Sequence, residues 1–147
     1  MSYTTLSADP VRVLLFKHHL VDALHVCLAI DMSPLWCDVR VLEESATAIE
    51  SACATVRSGA VAPGLVLFDC ELRDSASVGI LILVRKAPEL RRIPLLVIGD
   101  GDDPELERVA HRSEADGFIR RPSHSRDLSR TGRDIADFWT SRRRRTA

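Results

Sequence analysis

Short apolar runs alternate along the chain with segments whose apolar residues recur at helical spacing. Val11-Arg12-Val13-Leu14-Leu15-Phe16 is nearly continuous in apolar residues and predicts a buried strand. From Leu20 to Ile30 the pattern predicts a helix with Leu20, Val21, Leu24, Cys27 and Leu28 on its inner face, ended by Asp31-Met32-Ser33-Pro34. Asp38-Val39-Arg40-Val41-Leu42 alternates as a second strand. Ser45 is placed to cap a helix running to about Ser58, with Ile49, Ala52, Cys53 and Val56 inward and Gly59 as its terminating glycine. Leu65-Val66-Leu67-Phe68 is the clearest buried strand and ends at Asp69. A helix from about Ser77 to Lys86, a strand over Pro94-Leu95-Leu96-Val97-Ile98 and a short helix opened by Asp103-Pro104 follow. Gly117-Phe118-Ile119 is a fifth strand, and a last helix is expected from Ser125 to about Trp139.

A strand–helix unit repeated five times, with buried strands, predicts an α/β fold. The expected form is a flavodoxin-like, doubly wound, parallel five-stranded sheet covered by helices on both faces. The expected organisation is a flexible stretch over 1–10, one domain over 11–140 and a basic tail over 141–147. In such sheets chemistry gathers at the carboxyl ends of the strands, here Lys17-His18, Asp69, Gly99-Asp100 and Arg121-Pro122. Taken alone, Asp69 reads as a cap of the following turn.

Composition narrows the function. With 147 residues, 46% hydrophobic and 28% charged, the chain suits one soluble domain. A net charge of −1 gives no general pull toward nucleic acid or membrane, and neither is expected as a partner. Cys27, Cys37, Cys53 and Cys70 form no CxxC pair, so reduced thiols are expected rather than zinc or redox chemistry. His18, His19 and His25 lack zinc spacing, and His111 and His124 read as solvated. No secretory signal and no apolar run of membrane-spanning length is visible, so a cytoplasmic location is expected by exclusion. No phosphate-binding glycine loop or nucleophile-elbow serine is present, so an independent hydrolase or transferase is not expected.

Three stretches in register resemble the receiver domains of response regulators, the CheY-like family. Pro63-Gly64-Leu65-Val66-Leu67-Phe68-Asp69 looks like their phosphoacceptor strand. Glu89-Leu90-Arg91-Arg92-Ile93-Pro94-Leu95-Leu96-Val97-Ile98 resembles their passage into strand 4, and Ala115-Asp116-Gly117-Phe118-Ile119-Arg120-Arg121-Pro122 their strand-5 end. The intervals from Asp69 to Gly99 and from Gly99 to Arg121 agree with the family, and the likeness spans about 11–139. Asp134-Ile135-Ala136-Asp137-Phe138-Trp139 resembles, more narrowly, the terminal helix of stand-alone receivers working with phytochrome kinases.

The resemblance implies phosphotransfer signalling with a sensor histidine kinase as partner and Asp69 as phosphoacceptor. It also implies that the rest of the site is degenerate. Lys17 and His18 stand at the acidic pair that would hold Mg²⁺, Gly99 at the switch hydroxyl and Arg121 at the lysine, while Phe118 fits the aromatic switch position. Mg²⁺ needs hard oxygen ligands, so its binding is expected to be weak or absent. Lys17 and Arg121 are expected to approach the Asp69 carboxylate in its place. Glu71 and Asp74 offer a lesser route to a metal.

Homodimerisation is expected through Phe138 and Trp139, one inward and the other free for a partner. Arg142-Arg143-Arg144-Arg145 reads as a solvated tail. The leading expectation is a signalling module acting by protein–protein contact. The alternatives are a working phosphoacceptor, for instance for a bacteriophytochrome kinase, and a flavodoxin-like binder of small molecules.

Overall fold

The computed structural model describes residues 9–17, 20–100, 102–122 and 124–146, with the side chains of 20–22 and 143–146 outside the description. The elements run β1 Val11–Lys17, α1 Leu20–Asp31, β2 Cys37–Glu43, α2 Ala46–Arg57, β3 Leu65–Asp69, α3 Ser75–Lys86, β4 Leu95–Gly99, α4 Glu105–Arg112, β5 Gly117–Arg120 and α5 Leu128–Thr146. A single 3₁₀ turn, Ser125–Asp127, leads into α5. The strands form one parallel sheet in the order β2-β1-β3-β4-β5. This is the doubly wound arrangement expected from the alternation of strands and helices.

Period-two alternation divides the core. Val13 and Leu15 of β1, Leu65 and Leu67 of β3, and Leu96 and Ile98 of β4 face α1 and α5. Leu14, Phe16, Val66, Phe68, Leu95 and Val97 face α2, α3 and α4. Phe16 and Phe68 meet there with ring centroids 5.9 Å apart. Both faces of β3 and β4 are covered, which explains why those runs are apolar without a break.

Caps fix the helix starts. Ser45 Oγ accepts from the Ala48 amide (3.1 Å), and Asp74 Oδ1 accepts from the Ala76 amide (2.9 Å), so α3 begins two residues before its expected start at Ser77. Asp103 Oδ1 accepts from the Glu105 amide (2.9 Å). Gly59 takes φ +89° just beyond α2, a conformation that a side chain would strain.

Three expectations need correction. In α1 the buried residues are Ala23, Val26, Ala29 and Ile30, while Leu24 and Leu28 face outward. The cause is α5, which crosses α1 so closely that a Cβ on Gly132 would lie 2.2 Å from the Ala29 carbonyl oxygen. Only small side chains fit that crossing, so Ala23 and Ala29 turn inward and the leucines are displaced. Second, the basic stretch is not a separate tail, because α5 continues to Thr146. Arg142 Nη2 donates to Asp116 Oδ1 (2.9 Å), and Asp116 Oδ2 accepts from Arg85 Nη2 (2.9 Å) and the Leu95 amide (2.8 Å), tying α5 to α3 and β4. Third, Phe138 and Trp139 both pack on the same core cluster. Neighbours on a helix differ by about 100°, not 180°. Gly64 before β3 and Gly117 at the start of β5 make room, Trp139 lying over the first and Phe138 over the second.

Candidate functional site

The carboxyl ends of β3, β4 and β5 bring three sequence-predicted positions together. Asp69 closes the central strand, paired with Ile98, and is only 1% exposed. Arg121 follows β5, where its amide donates to the Gly99 carbonyl (2.8 Å) and aims the side chain back across β4. Its Nε (2.9 Å) and Nη2 (2.6 Å) both donate to Asp69 Oδ1. Nη1 donates to Asp100 Oδ1 (2.6 Å), and Nη2 also reaches the Cys70 carbonyl (3.3 Å). The planar guanidinium thus bridges the ends of β3 and β4, which a lysine ammonium on one stem cannot reproduce. Charge-assisted bonds of this kind are stronger than neutral ones, most of all at the buried Asp69 end of the bridge.

Lys17 stands half-buried at the end of β1, and its carbonyl accepts from the Glu44 amide (3.1 Å). Arg121 donates to Asp69 through two nitrogens, and among the described residues Lys17 makes no such bond. The expectation that both cations would reach the carboxylate holds for Arg121 alone: Lys17 ends the strand beside Asp69, and its partner across the ladder is Glu43. His18 and His19 lie outside the described residues.

Gly99 has a steric reason to be glycine. A Cβ there would come within 2.8 Å of Leu106 Cδ1 and 3.3 Å of Leu72 Cδ1. Two leucine side chains, from α4 and from the loop after β3, therefore close over the place where the resemblance expects a hydroxyl. The contact is not recognisable in advance, because it depends on how the loop after β3 and the start of α4 fold back over the end of β4. Glu44 is a third residue that the pattern of the sequence did not single out. Both of its carboxylate oxygens are buried, just beyond β2 at the same end of the sheet, and its charge helps to raise the Cys70 thiol. Attention to every strand end, β2 included, would have found it.

Cys70 lies buried directly after Asp69. Burial pushes its thiol up to about 11, against the hydrogen bond with Ser77 and with the help of Glu44, Asp69 and Glu71. Glu71 and Asp74, the lesser candidates for a metal, serve the backbone: Asp74 caps α3, and Glu71 Oε1 accepts from the Arg73 amide (3.5 Å). Among the described residues no group of three or more His, Cys, Asp or Glu is placed to hold a metal ion. Beside Arg121 a groove of about 1080 Å³ opens between α4, β5 and α5, lined by Asp100, Asp103, Phe118, Asp127 and Thr131 among others. Its charged walls do not suit an apolar ligand. No helix among the described residues is long and apolar enough to cross a membrane.

No protein-family model matches the chain. A curated relative, the probable methanogenesis regulatory protein FilR2 of Methanothrix harundinacea, is 22% identical over 131 residues, covering 89% of this chain and 84% of that protein. Among solved structures, the phosphorylated cyanobacterial phytochrome response regulator RcpA superposes with a TM-score of 0.70 at 18% identity, over 90% of this chain and 96% of that one. A response regulator receiver domain from Rhodospirillum rubrum gives 0.68 at 22% identity, over 89% and 94%. The chain therefore has the fold of the response-regulator receiver domains, over nearly its whole length.

Proposed function

We propose that this chain is a signalling module of the two-component type that works by protein–protein contact and holds a single state without phosphoryl transfer. The observation that carries the reading is the Arg121 guanidinium seated on Asp69 Oδ1 through two nitrogens. An acceptor carboxylate must present a lone pair to an incoming phosphorus, and here a fixed cation covers one of its oxygens. That pairing favours the ionised carboxylate and a closed site. Leu72 and Leu106 add to this by filling the space over Gly99.

The residues around Asp69 do not suit Mg²⁺. The ion asks for several oxygen ligands, whereas the end of β1 supplies the Lys17 ammonium and Arg121 holds the acceptor itself. In this reading the guanidinium replaces the divalent ion as the counter-charge, and no step passes through a metal. The partner is a sensor kinase or another protein that recognises the fixed state. The module itself catalyses nothing.

A second reading is favoured by one observation. The acceptor aspartate is retained at the end of the central strand, and the similar RcpA is described in a phosphorylated form. Acetyl phosphate with Mg²⁺, and beryllofluoride in parallel, separate the two readings by intact mass and light scattering. No adduct and no change of assembly is the expected result. A phosphate-sized mass gain that disappears in Asp69→Asn would overturn the fixed-state reading.

A further inference from the structure

Eight large apolar side chains are exposed among the described residues, and five of them lie on one edge of the molecule. Leu24 (57% exposed), Leu28 (49%) and Met32 (54%) follow one line down the outer face of α1 and into the loop after it. Trp36 (61%) and Val41 belong to the approach to β2 and to β2 itself. Among the described residues β2 is an outer strand, and its other side has no neighbour in the sheet. An open strand edge bordered by apolar surface is a template for pairing.

The backbone bonds to β1 fix which groups of β2 face that edge. The Trp36 carbonyl accepts from the Val11 amide (2.8 Å), and the Glu44 amide donates to the Lys17 carbonyl (3.1 Å). In a parallel ladder alternate residues serve one neighbour. Even-numbered residues of β2 therefore turn their polar groups to β1, and Cys37, Val39 and Val41 turn theirs outward.

We propose that this edge is a homodimer interface in which β2 pairs antiparallel with β2 of a second copy, about a two-fold axis at Val39. In that register Val39 faces its own mate and Cys37 faces Val41, each as a hydrogen-bonded pair using the outward groups. Asp38 then lies opposite Arg40 of the second copy, and Arg40 opposite Asp38. These are the non-hydrogen-bonded positions, where side chains approach most closely. The strand is thus complementary to itself in backbone bonding and in charge.

Helix spacing agrees. α1 packs on both β1 and β2, so across the joined sheets the two copies of α1 lie about two strand spacings, roughly 10 Å, apart. That is the distance of packed helices, and it brings Leu24, Leu28 and Met32 against their mates. A helical partner would cover the leucines but leave the outward groups of β2 unused. The interface is independent of the state of Asp69.

Sedimentation equilibrium of the full chain from 1 to 100 µM (roughly the range in which such interfaces dissociate) tests it. The wild-type chain is expected to be dimeric. Asp38→Arg places like charges in both cross-strand pairs and should weaken the dimer at least about tenfold. Asp38→Arg with Arg40→Asp restores opposite charges and should restore the dimer. Val39→Pro removes an outward N–H, leaves the β1 ladder intact and should give a folded monomer. If that variant does not fold, the charge pair still decides the matter, together with amide exchange at Val39 and Val41, which should slow as concentration rises. A wild-type monomer across the range overturns the proposal. So does a dimer unaffected by Asp38→Arg, which would lie elsewhere on the surface.

Discussion

At the scale of single residues, the pairing of Asp69 with Arg121 sets the character of the site. Both carry charge, both are largely withdrawn from water, and each nitrogen of Arg121 is matched to an oxygen. Asp69→Asn removes the buried charge opposite Arg121 and leaves the exposed Asp100 as a remaining carboxylate partner. The substitution should therefore cost about 1–2 kcal/mol, less than a fully uncompensated buried charge, read as a lower urea midpoint at unchanged slope. Where Asp69 is only a solvated acceptor, the same substitution would be nearly neutral. Gly99 makes the complementary case, because its neighbours are side-chain tips rather than backbone. Gly99→Ser should cost about 1–2 kcal/mol by overpacking against Leu106 and Leu72. Leu106→Ala combined with it should cost less than the sum of the two singles, since the smaller side chain vacates the space the new one needs. Asp69, Gly99 and Arg121 were all legible as positions, because each ends or directly follows a strand. Their bonding was not, because a guanidinium's reach across two strands depends on the sheet order, which no local pattern carries.

At the scale of elements, two glycines in helices predict opposite outcomes for the same change. Glycine is about 1 kcal/mol worse than alanine in a helix interior. Gly79 in α3 has nothing within 4 Å of the place a methyl would take, so Gly79→Ala should stabilise by about 0.5–1 kcal/mol. Gly132 in α5 meets the Ala29 carbonyl oxygen at 2.2 Å, and backbone cannot rotate away as a side chain can. Gly132→Ala should cost more than about 2 kcal/mol despite the gain in propensity. Parallel chemical denaturation of the two variants checks both signs at once. This crossing also explains which parts of the fold the sequence made legible. Strands and most helix starts follow from runs and caps close in the chain, so β3, β4 and the Ser45 cap lie where expected. The inner face of α1 does not, because leucine predicts burial only where there is space for leucine. The large residues Leu24 and Leu28 were displaced by a neighbour more than a hundred positions away. The length of α5 was missed for a related reason: an arginine-rich segment has no apolar face of its own, and Asp116, held by Arg85, gives Arg142 a partner.

At the scale of the whole molecule, the charge chemistry makes one pH dependence specific. The chain has only two lysines, and its other side-chain cations apart from histidine are arginines, which keep their charge well past pH 11. The Asp69–Arg121–Asp100 bridge and the ties from Asp116 to Arg85 and Arg142 therefore persist in alkali. The thiols do not stay as they are: burial raises all four, and two of them furthest. Burial raises Cys53, aided by its hydrogen bond to Glu89, and burial likewise raises Cys70, each from the ordinary value of 9.0 to about 11. A thiol that resists ionising when folded ionises first in the unfolded chain. The unfolded state then binds fewer protons than the folded one, and stability falls as pH rises. The contribution is complete below about pH 9, declines between 9 and 11, and levels off once both states are ionised. Urea titrations from pH 7 to 11 should show this decline, and Cys53→Ala with Cys70→Ala should flatten it even though the packing loss lowers the curve as a whole. Thiol alkylation of the folded protein at pH 8 should modify these two cysteines much more slowly than the half-buried Cys27 and Cys37. A decline of the same depth in the doubly substituted protein would locate the alkaline sensitivity in other groups that titrate in this range, first of all the Cys27 and Cys37 thiols, which burial also raises.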